Sequence, residues 1–514
     1  MEPSDHRKIA IVGGGLTGVA AFWALQSSCH EVHLFEASPA LGGHMKTLLL
    51  ESSGNQVQVD MEMPTFNPKA CPNLVSLLYH LRIPTTGVPF SFGVLENTSV
   101  VKWHINILKS ILLYPRILCK LETYRLLLDA ISLRYLGADV LAKPTSGAAQ
   151  DLTDSYLSDN GYSEHFRDNY LIPLLSMLWR TNAGKFISRL PVKALARSLS
   201  DHQLLSAYET MPKWRRIDTG VGYLIEAMIK QLPYENLHLQ TRVAEVTRLS
   251  KSRYSIVTSD NKLSQFDYVI LAVDGPEIIR LLGPTVNTDE RDILQGLGVS
   301  RNIAVIHSDY PSITDDAAPG YNYIMASHNP QQRDLTSPKS CLMYDVNALQ
   351  DIPTSRFGDI LMTLNPLSPP HPSLVQAVWE FTEPEPSAKS LQAQSRLFSI
   401  QNKRGISYGF CWTGRGILED AITSGLRIAI EDLGATVPFP VVFHPQALGE
   451  DDSLSRHSGL RDNIVKTSLQ AIRLLVLVSE ILLLLLGRLY SRRAEVRARL
   501  HFLRTPRSSM ASWF

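Results

Sequence analysis

Residues 9–25, "IAIVGGGLTGVAAFWAL", decide the fold. A short apolar run gives way to three consecutive glycines and then to an Ala-rich helical pattern. That predicts a buried strand, a tight turn and a helix packed back on the strand. Gly13, Gly15 and Gly18 stand in G-x-G-x-x-G register. Each glycine has its own duty in a dinucleotide cradle: the turn, close approach of main chain to a diphosphate, and close helix–strand packing. The diphosphate then rests on N–H groups at the helix start. By itself the pattern also fits a glycine-rich turn that binds nothing.

Two features downstream favour a nucleotide. "VHLFEA" reads as a second strand ending at Glu36, about where an acidic residue receives ribose hydroxyls. The competing reading of Glu36 is a solvated strand end. "LGGHM" then adds Gly42 and Gly43, a second glycine pair that a plain NAD domain does not require.

The stretch "IAIVGGGLTGVAAFWAL…VHLFEASPALGGHMKT" resembles the start of the FAD-dependent amine oxidase and phytoene desaturase superfamily. Within it the chain is most similar to the predicted NAD/FAD-binding oxidoreductases found near fatty-acid cyclopropanation enzymes. The likeness spans roughly residues 7–436, and "VDMEMPTFNPKACPNL", "FDYVILAVDGPEIIRLL" and "CWTGRGILEDAITSGLRIA" follow in the family's order. The resemblance implies FAD as cofactor, with Gly13, Gly15 and Gly18 at its diphosphate and Glu36 at the adenosine ribose. Gly42 and Gly43 would let the chain pass close to the cofactor, and Val243 would lie by the adenine. Glu419 and Asp420, ahead of the last helix, would lie near the ribityl chain or the flavin; their other reading is charge compensation at a helix N-terminus.

The chain departs from that pattern at Ala40, where relatives carry Arg, and at Glu62, where they carry Gly. Glu62 reads either as crowding the flavin ring or as a polar group facing substrate. His44 reads equally as a cofactor-side contact and as a packed core histidine. No Ser/His/Asp set and no His/Cys metal spacing stands out, so no catalytic residue and no metal site is assigned; the cofactor supplies the chemistry.

A chain of 514 residues exceeds one ordinary core. Its net charge of +1 gives no pull toward nucleic acid. Five scattered cysteines, never in a CxxC pair, fit a reducing compartment. The polar "MEPSDHRK" before the first strand predicts no leader and a catalytic body on the cytosolic side.

The expected fold is α/β, a Rossmann-type FAD-binding domain with an interleaved α+β substrate domain and a C-terminal hydrophobic helix. FAD-binding parts are expected at 7–70, 221–285 and 401–436, a helical substrate or cap region at 71–220 and a substrate-domain sheet region at 286–400. A membrane-associating helix with an Arg-rich tail is expected at 464–514.

Two regions bear on substrate. The Leu/Ile-rich run over 104–140 carries Lys109, Arg116, Lys120, Arg125 and Arg134 among apolar positions. It reads as a helical cap with an ordinary core stripe or as the roof of a hydrophobic channel, with Tyr170, Trp179 and Trp214 as candidate walls. His307 reads as a subfamily feature of either structural or functional use. "LLVLVSEILLLLLG", between Arg473 and Arg488, rises only about 21 Å as a helix, short of a hydrocarbon core of about 30 Å. Extension to 469–490 with snorkelling arginines reaches far enough despite Glu480.

Seven arginines follow, from Arg488 to Arg507, and clustered positives favour the cytosolic side. A simple span would therefore put the body across the membrane, whereas a helix lying in the interface, with arginines on anionic lipid, avoids that conflict. A spanning anchor and a buried C-terminal helix are the other readings.

The functional expectation is an FAD-dependent oxidoreductase, membrane-associated, that dehydrogenates a lipophilic molecule (an acyl chain, polyketide or terpenoid) by hydride transfer to flavin. A redox-neutral flavin isomerase, and a degenerate flavoprotein that binds lipid or a partner without turnover, are the alternatives.

Overall fold

The computed structural model describes residues 6–52, 54–61, 65–90, 92–96, 100–104, 121–142, 151–202, 204, 213–230, 232–250, 253–309, 320–326, 340–411, 417–443 and 464–479, with Leu482 and Leu485. A five-stranded parallel sheet organises the cofactor half. Its strands are β1 (Lys8–Val12), β2 (Glu31–Phe35), β3 (Leu237–His238), β4 (Tyr268–Leu271) and β5 (Ile406–Tyr408). They lie in the order β3-β2-β1-β4-β5, with Ile9 opposite Val32 on one side and Tyr268 on the other. Segments over two hundred residues apart thus converge on β1. That strand is apolar on both faces because both are covered: Ile9 and Ile11 pack into one core, Ala10 and Val12 into another.

The helices that frame the site are α1 (Leu16–Leu25), α2 (Pro72–His80), α3 (Leu121–Ala142), α4 (Val221–Ile229) and α5 (Leu418–Arg427). All ten residues of α1 are buried, which explains an Ala-rich sequence apolar all round. It sits between the sheet, α4 and α5. A side chain at Gly425 of α5 would meet Thr17 O at 2.3 Å, so that glycine sets how closely α1 and α5 cross. On the sheet's opposite side, an antiparallel ribbon of Val243–Ser250, Arg253–Thr258 and Leu263–Phe266 contributes Val243, Tyr254 and Phe266 to the core around Ala10 and Val12.

The second half is a seven-stranded mixed sheet, in the order Val375–Pro384, Val299–His307, Leu361–Leu364, Ser340–Asp345, Tyr321–Met325, Phe92–Glu96, Val100–His104. Its last two strands come from within the 71–220 stretch read as mostly helical: Phe92–Glu96 pairs parallel with Tyr321–Met325, and Val100–His104 pairs antiparallel with Phe92–Glu96. One core joins this sheet to helices between residues 153 and 201. The chain therefore has the α/β architecture with interleaved halves.

At the C-terminal end, residues 464–479 form a helix, and Leu482 and Leu485 are helical. Among the described residues no helix is long and apolar enough to cross a membrane, so the alternative reading of the tail as a spanning anchor has no support. Lys109, Arg116, Lys120, Glu480 and the arginines from Arg488 onward lie outside the described residues, as does Glu62.

Candidate cofactor and substrate site

Gly13 turns the chain from β1 at φ +110°, and a side chain there would strike Ala272 O at 2.3 Å. Gly18 lies one helical turn later, where an added Cβ would fall 1.9 Å from Gly13 O. Those two glycines satisfy the protein's own packing. Gly15 is different. Its backbone is ordinary extended geometry (φ −66°, ψ 175°), and a Cβ built on it meets nothing within 4 Å. Neither conformation nor packing explains a glycine at that point, whereas an occupant of the space beside it does. Gly15 is the N-cap of α1, where free N–H groups and the helix dipole favour an anion.

The second glycine pair closes onto the first. Gly42 donates its N–H to Gly14 O at 2.8 Å, and Gly15 and Gly42 form an isolated parallel bridge. Gly43, at φ +60°, would place a Cβ 3.2 Å from Gly15 Cα. Glu36 stands just past β2, its carboxylate accepting the N–H of Gly14 and of Ser38, each at 2.7 Å.

Gly13, Gly15, Glu36, Gly42 and Gly43 all line one cavity of about 470 Å³. Gly18 supports it from behind. Val243 is buried outside the lining. Glu419 and Asp420 do not line it either: Ile417, Leu418 and Ala421 from the same turn do. Glu419 is fully buried and accepts the N–H groups of Asn73 and Leu74 at 2.8 and 2.9 Å, capping α2, while Asp420 accepts its own N-cap N–H from Ile417 at 3.1 Å. Both carboxylates are therefore helix-capping groups. Ala40 is exposed and outside the lining.

The cavity lining also includes the apolar side chains Phe66, Leu178, Trp179, Trp214 and Phe410. Trp179 and Trp214 are thus channel walls as well as core; Tyr170 is not in the lining and stacks on Phe166 instead. His307 donates to or accepts from Thr363 Oγ1 at 2.8 Å, away from the cavity, which is a structural position. Among the described residues no cluster of His, Cys, Asp and Glu could hold a metal ion.

The lining also carries a polar set with no signature in the sequence. Arg180, in the left-handed region at φ 53° after the helix ending at Trp179, pairs with Glu383 at 3.0 Å and stands over the Phe381 ring. Burial pushes the Glu383 carboxyl up, and Arg180 opposes that. Asp274, raised by burial, accepts the Thr382 hydroxyl at 2.7 Å. His44 lines the cavity edge-on to Phe381; desolvation, then the charges of Arg180 and Lys46, lower its pKa to about 4, so the imidazole is neutral near pH 7. Burial also holds the Cys411 thiol in its protonated form. These groups come from separate strands and loops, and only the sheet register assembles them.

The family model described as flavin containing amine oxidoreductase matches residues 16–354, well over half of the chain. The chain belongs to that family. It is an FAD-dependent oxidoreductase, and the glycine cradle and the space beside Gly15 fit that cofactor. A search of curated proteins finds no significant relative. Solved structures share the fold. A putrescine oxidase bound to putrescine is 15% identical with a TM-score of 0.56, covering 84% of this chain and 99% of its own. A CLA-producing fatty acid isomerase from P. acnes gives the same 15%, 0.56, 84% and 99%. Cyclohexylamine oxidase from Brevibacterium oxydans IH-35A is 13% identical with a TM-score of 0.56, again over 84% and 99%.

Proposed function

We propose that this flavoenzyme oxidises a lipophilic substrate (an acyl chain, polyketide or terpenoid) at the membrane surface, with its catalytic body on the cytosolic side. The apolar part of the cavity lining carries the reading: Leu178, Trp179 and Trp214 offer surface to a hydrocarbon. The likeness to a fatty acid isomerase adds a fold that handles an acyl chain.

In this reading Gly13, Gly15, Gly42 and Gly43 admit the cofactor's diphosphate against main chain, and Glu36 accepts the adenosine ribose. Val243 contributes main chain toward the adenine from outside the cavity lining. Bound FAD would supply a two-electron acceptor for hydride removed from a C–H bond, whether next to carbon or to nitrogen. Phe66, Trp179 and Trp214 orient the substrate and exclude water. Neutral His44 offers a hydrogen-bonding ring without adding positive charge to a site already holding Arg180.

The test is anaerobic mixing of the purified protein with fatty acids, polyprenoids and primary amines. Flavin bleaching by a hydrocarbon-bearing substrate and not by putrescine supports the proposal; bleaching only by amines overturns it. Turnover of the lipid without net bleaching would mark a redox-neutral isomerase instead.

A further inference from the structure

A surface helix ordinarily turns its apolar face inward and its charges outward. The helix over 464–479 departs from that rule at Arg473 and along its exposed apolar positions. Arg473 is buried and points into the protein, where it lies 3.5 Å from Asp129 of α3 and stands over the Tyr162 ring at 3.9 Å. The seat is specific. Asp129 is fully buried, takes the Ser163 N–H and hydroxyl, and pairs with Arg125, which in turn donates to Gly161 O. Leu477 packs where a Cβ on Gly161 would come within 3.1 Å.

Much of the outward face is hydrocarbon, with Thr467, Ser468, Gln470 and Ser479 also exposed. Ile464, Leu474, Leu475, Val478, Leu482 and Leu485 are each 46–67% exposed. At about 100° per residue these positions form one stripe, and Leu482, nine residues beyond Arg473, falls on the opposite side of the helix. Seven arginines then follow in the sequence, from Arg488 to Arg507. An apolar stripe with adjoining cations matches an anionic lipid surface in both hydrophobicity and charge.

We propose that this helix lies flat in the headgroup region of an anionic bilayer, bolted by Arg473 to the cap, and does not span it. Insertion across the bilayer would tear Arg473 from Asp129 and Tyr162. Tyr162 belongs to the same core as Leu178 and Trp214, so the bilayer meets the half of the molecule that supplies those two cavity walls. A lipophilic substrate then enters from the membrane without crossing water. This deepens the membrane part of the proposed function and is independent of its flavin part.

The test uses the full chain with vesicles of phosphatidylcholine alone or mixed with phosphatidylglycerol. Flotation with the mixed vesicles, release by alkaline carbonate, and at least about a ten-fold loss of bound protein in L474E/L475E are expected. Equal melting temperatures of wild type and variant show that folding is intact.

A fluorophore on Leu475→Cys, in a Cys29→Ser background, should be quenched by lipid-borne quencher, and one on Leu477→Cys should not. This arm does not depend on disruption. Failure to float with any vesicle, resistance to carbonate, or equal quenching at both positions would overturn the proposal. So would a dimer in solution that L474E/L475E dissociates, since a second copy would then be the occupant. A colourless chain that floats would overturn the flavin reading alone, and a yellow chain that does not float the membrane reading alone.

Discussion

The Glu36 carboxylate reaches back from the end of β2 to accept the Gly14 N–H at 2.7 Å, tying the acidic residue to the middle of the glycine turn. The bond fixes one oxygen on the loop and Ser38 N–H fixes the other, while both retain lone pairs toward the cavity. Glu36→Gln keeps one acceptor and loses the charge. A hydrogen bond to a charged group contributes about 1.5–3 kcal/mol, so FAD affinity should fall roughly ten- to hundred-fold. Titration of the cofactor-free protein with FAD measures it.

Gly18→Ala and Gly15→Val should separate folding from binding. An added Cβ at Gly18 collides with Gly13 O, and overpacking of this kind costs about 3 kcal/mol or more. At Gly15 the protein itself offers no obstacle. The first variant should lower the urea midpoint strongly; the second, which only replaces an N-cap glycine by a poorer cap, should lower it far less in the cofactor-free form.

Removing one member of the Arg180–Glu383 pair leaves a buried charge without its partner. Both are less than a tenth exposed. Arg180→Ala should cost about 3–5 kcal/mol of unfolding free energy, whereas the double variant Arg180→Met with Glu383→Leu should recover much of it. Urea denaturation of the three proteins forms the comparison.

Asp129→Ala makes the same argument at the cap. Arg125 and Arg473 would both lose a buried counter-charge. We expect a loss of about 3–5 kcal/mol together with faster proteolysis between 464 and 479, read by limited digestion.

The pH dependence follows from His44. Its pKa is lowered from 6.5 to about 4 in the folded chain, so the unfolded chain binds the proton first as pH falls. The contribution is intact above pH 6.5 and is lost progressively toward pH 4. His44→Gln should flatten the decline of melting temperature of the cofactor-free protein between those values. Buried Asp274 and Glu383, raised rather than lowered, act in the opposite sense, and the wild-type minus variant difference removes them.

The cofactor half was legible because its elements are consecutive: strand, glycine turn, helix and strand all fall within residues 8–36. Periodicity and turn chemistry act over just that range. Glu419 was not legible. Its partners are the first N–H groups of α2, over three hundred residues earlier in the chain, and no local pattern announces a cap on another helix. Arg180, Asp274 and Glu383 share no spacing. Glu383 lies in the cavity because β-sheet register sets it opposite Ser300, and Arg180 reaches it from a helix end. Trp179 and Trp214 were readable as large aromatics but not as walls, since the cavity they bound is made by elements from both halves. The leucine run of the tail was plain, and its direction was not, because Arg473 reads as a flank until Asp129 is seen opposite it.

The direct measurement is the FAD content of the natively purified chain beside that of Gly15→Val, with circular dichroism on both. The account predicts a yellow wild type with about one FAD per chain and a colourless variant of unchanged secondary structure. A wild type that neither carries nor takes up FAD, or a Gly15→Val protein that retains it, would contradict a diphosphate lying against bare main chain at Gly15.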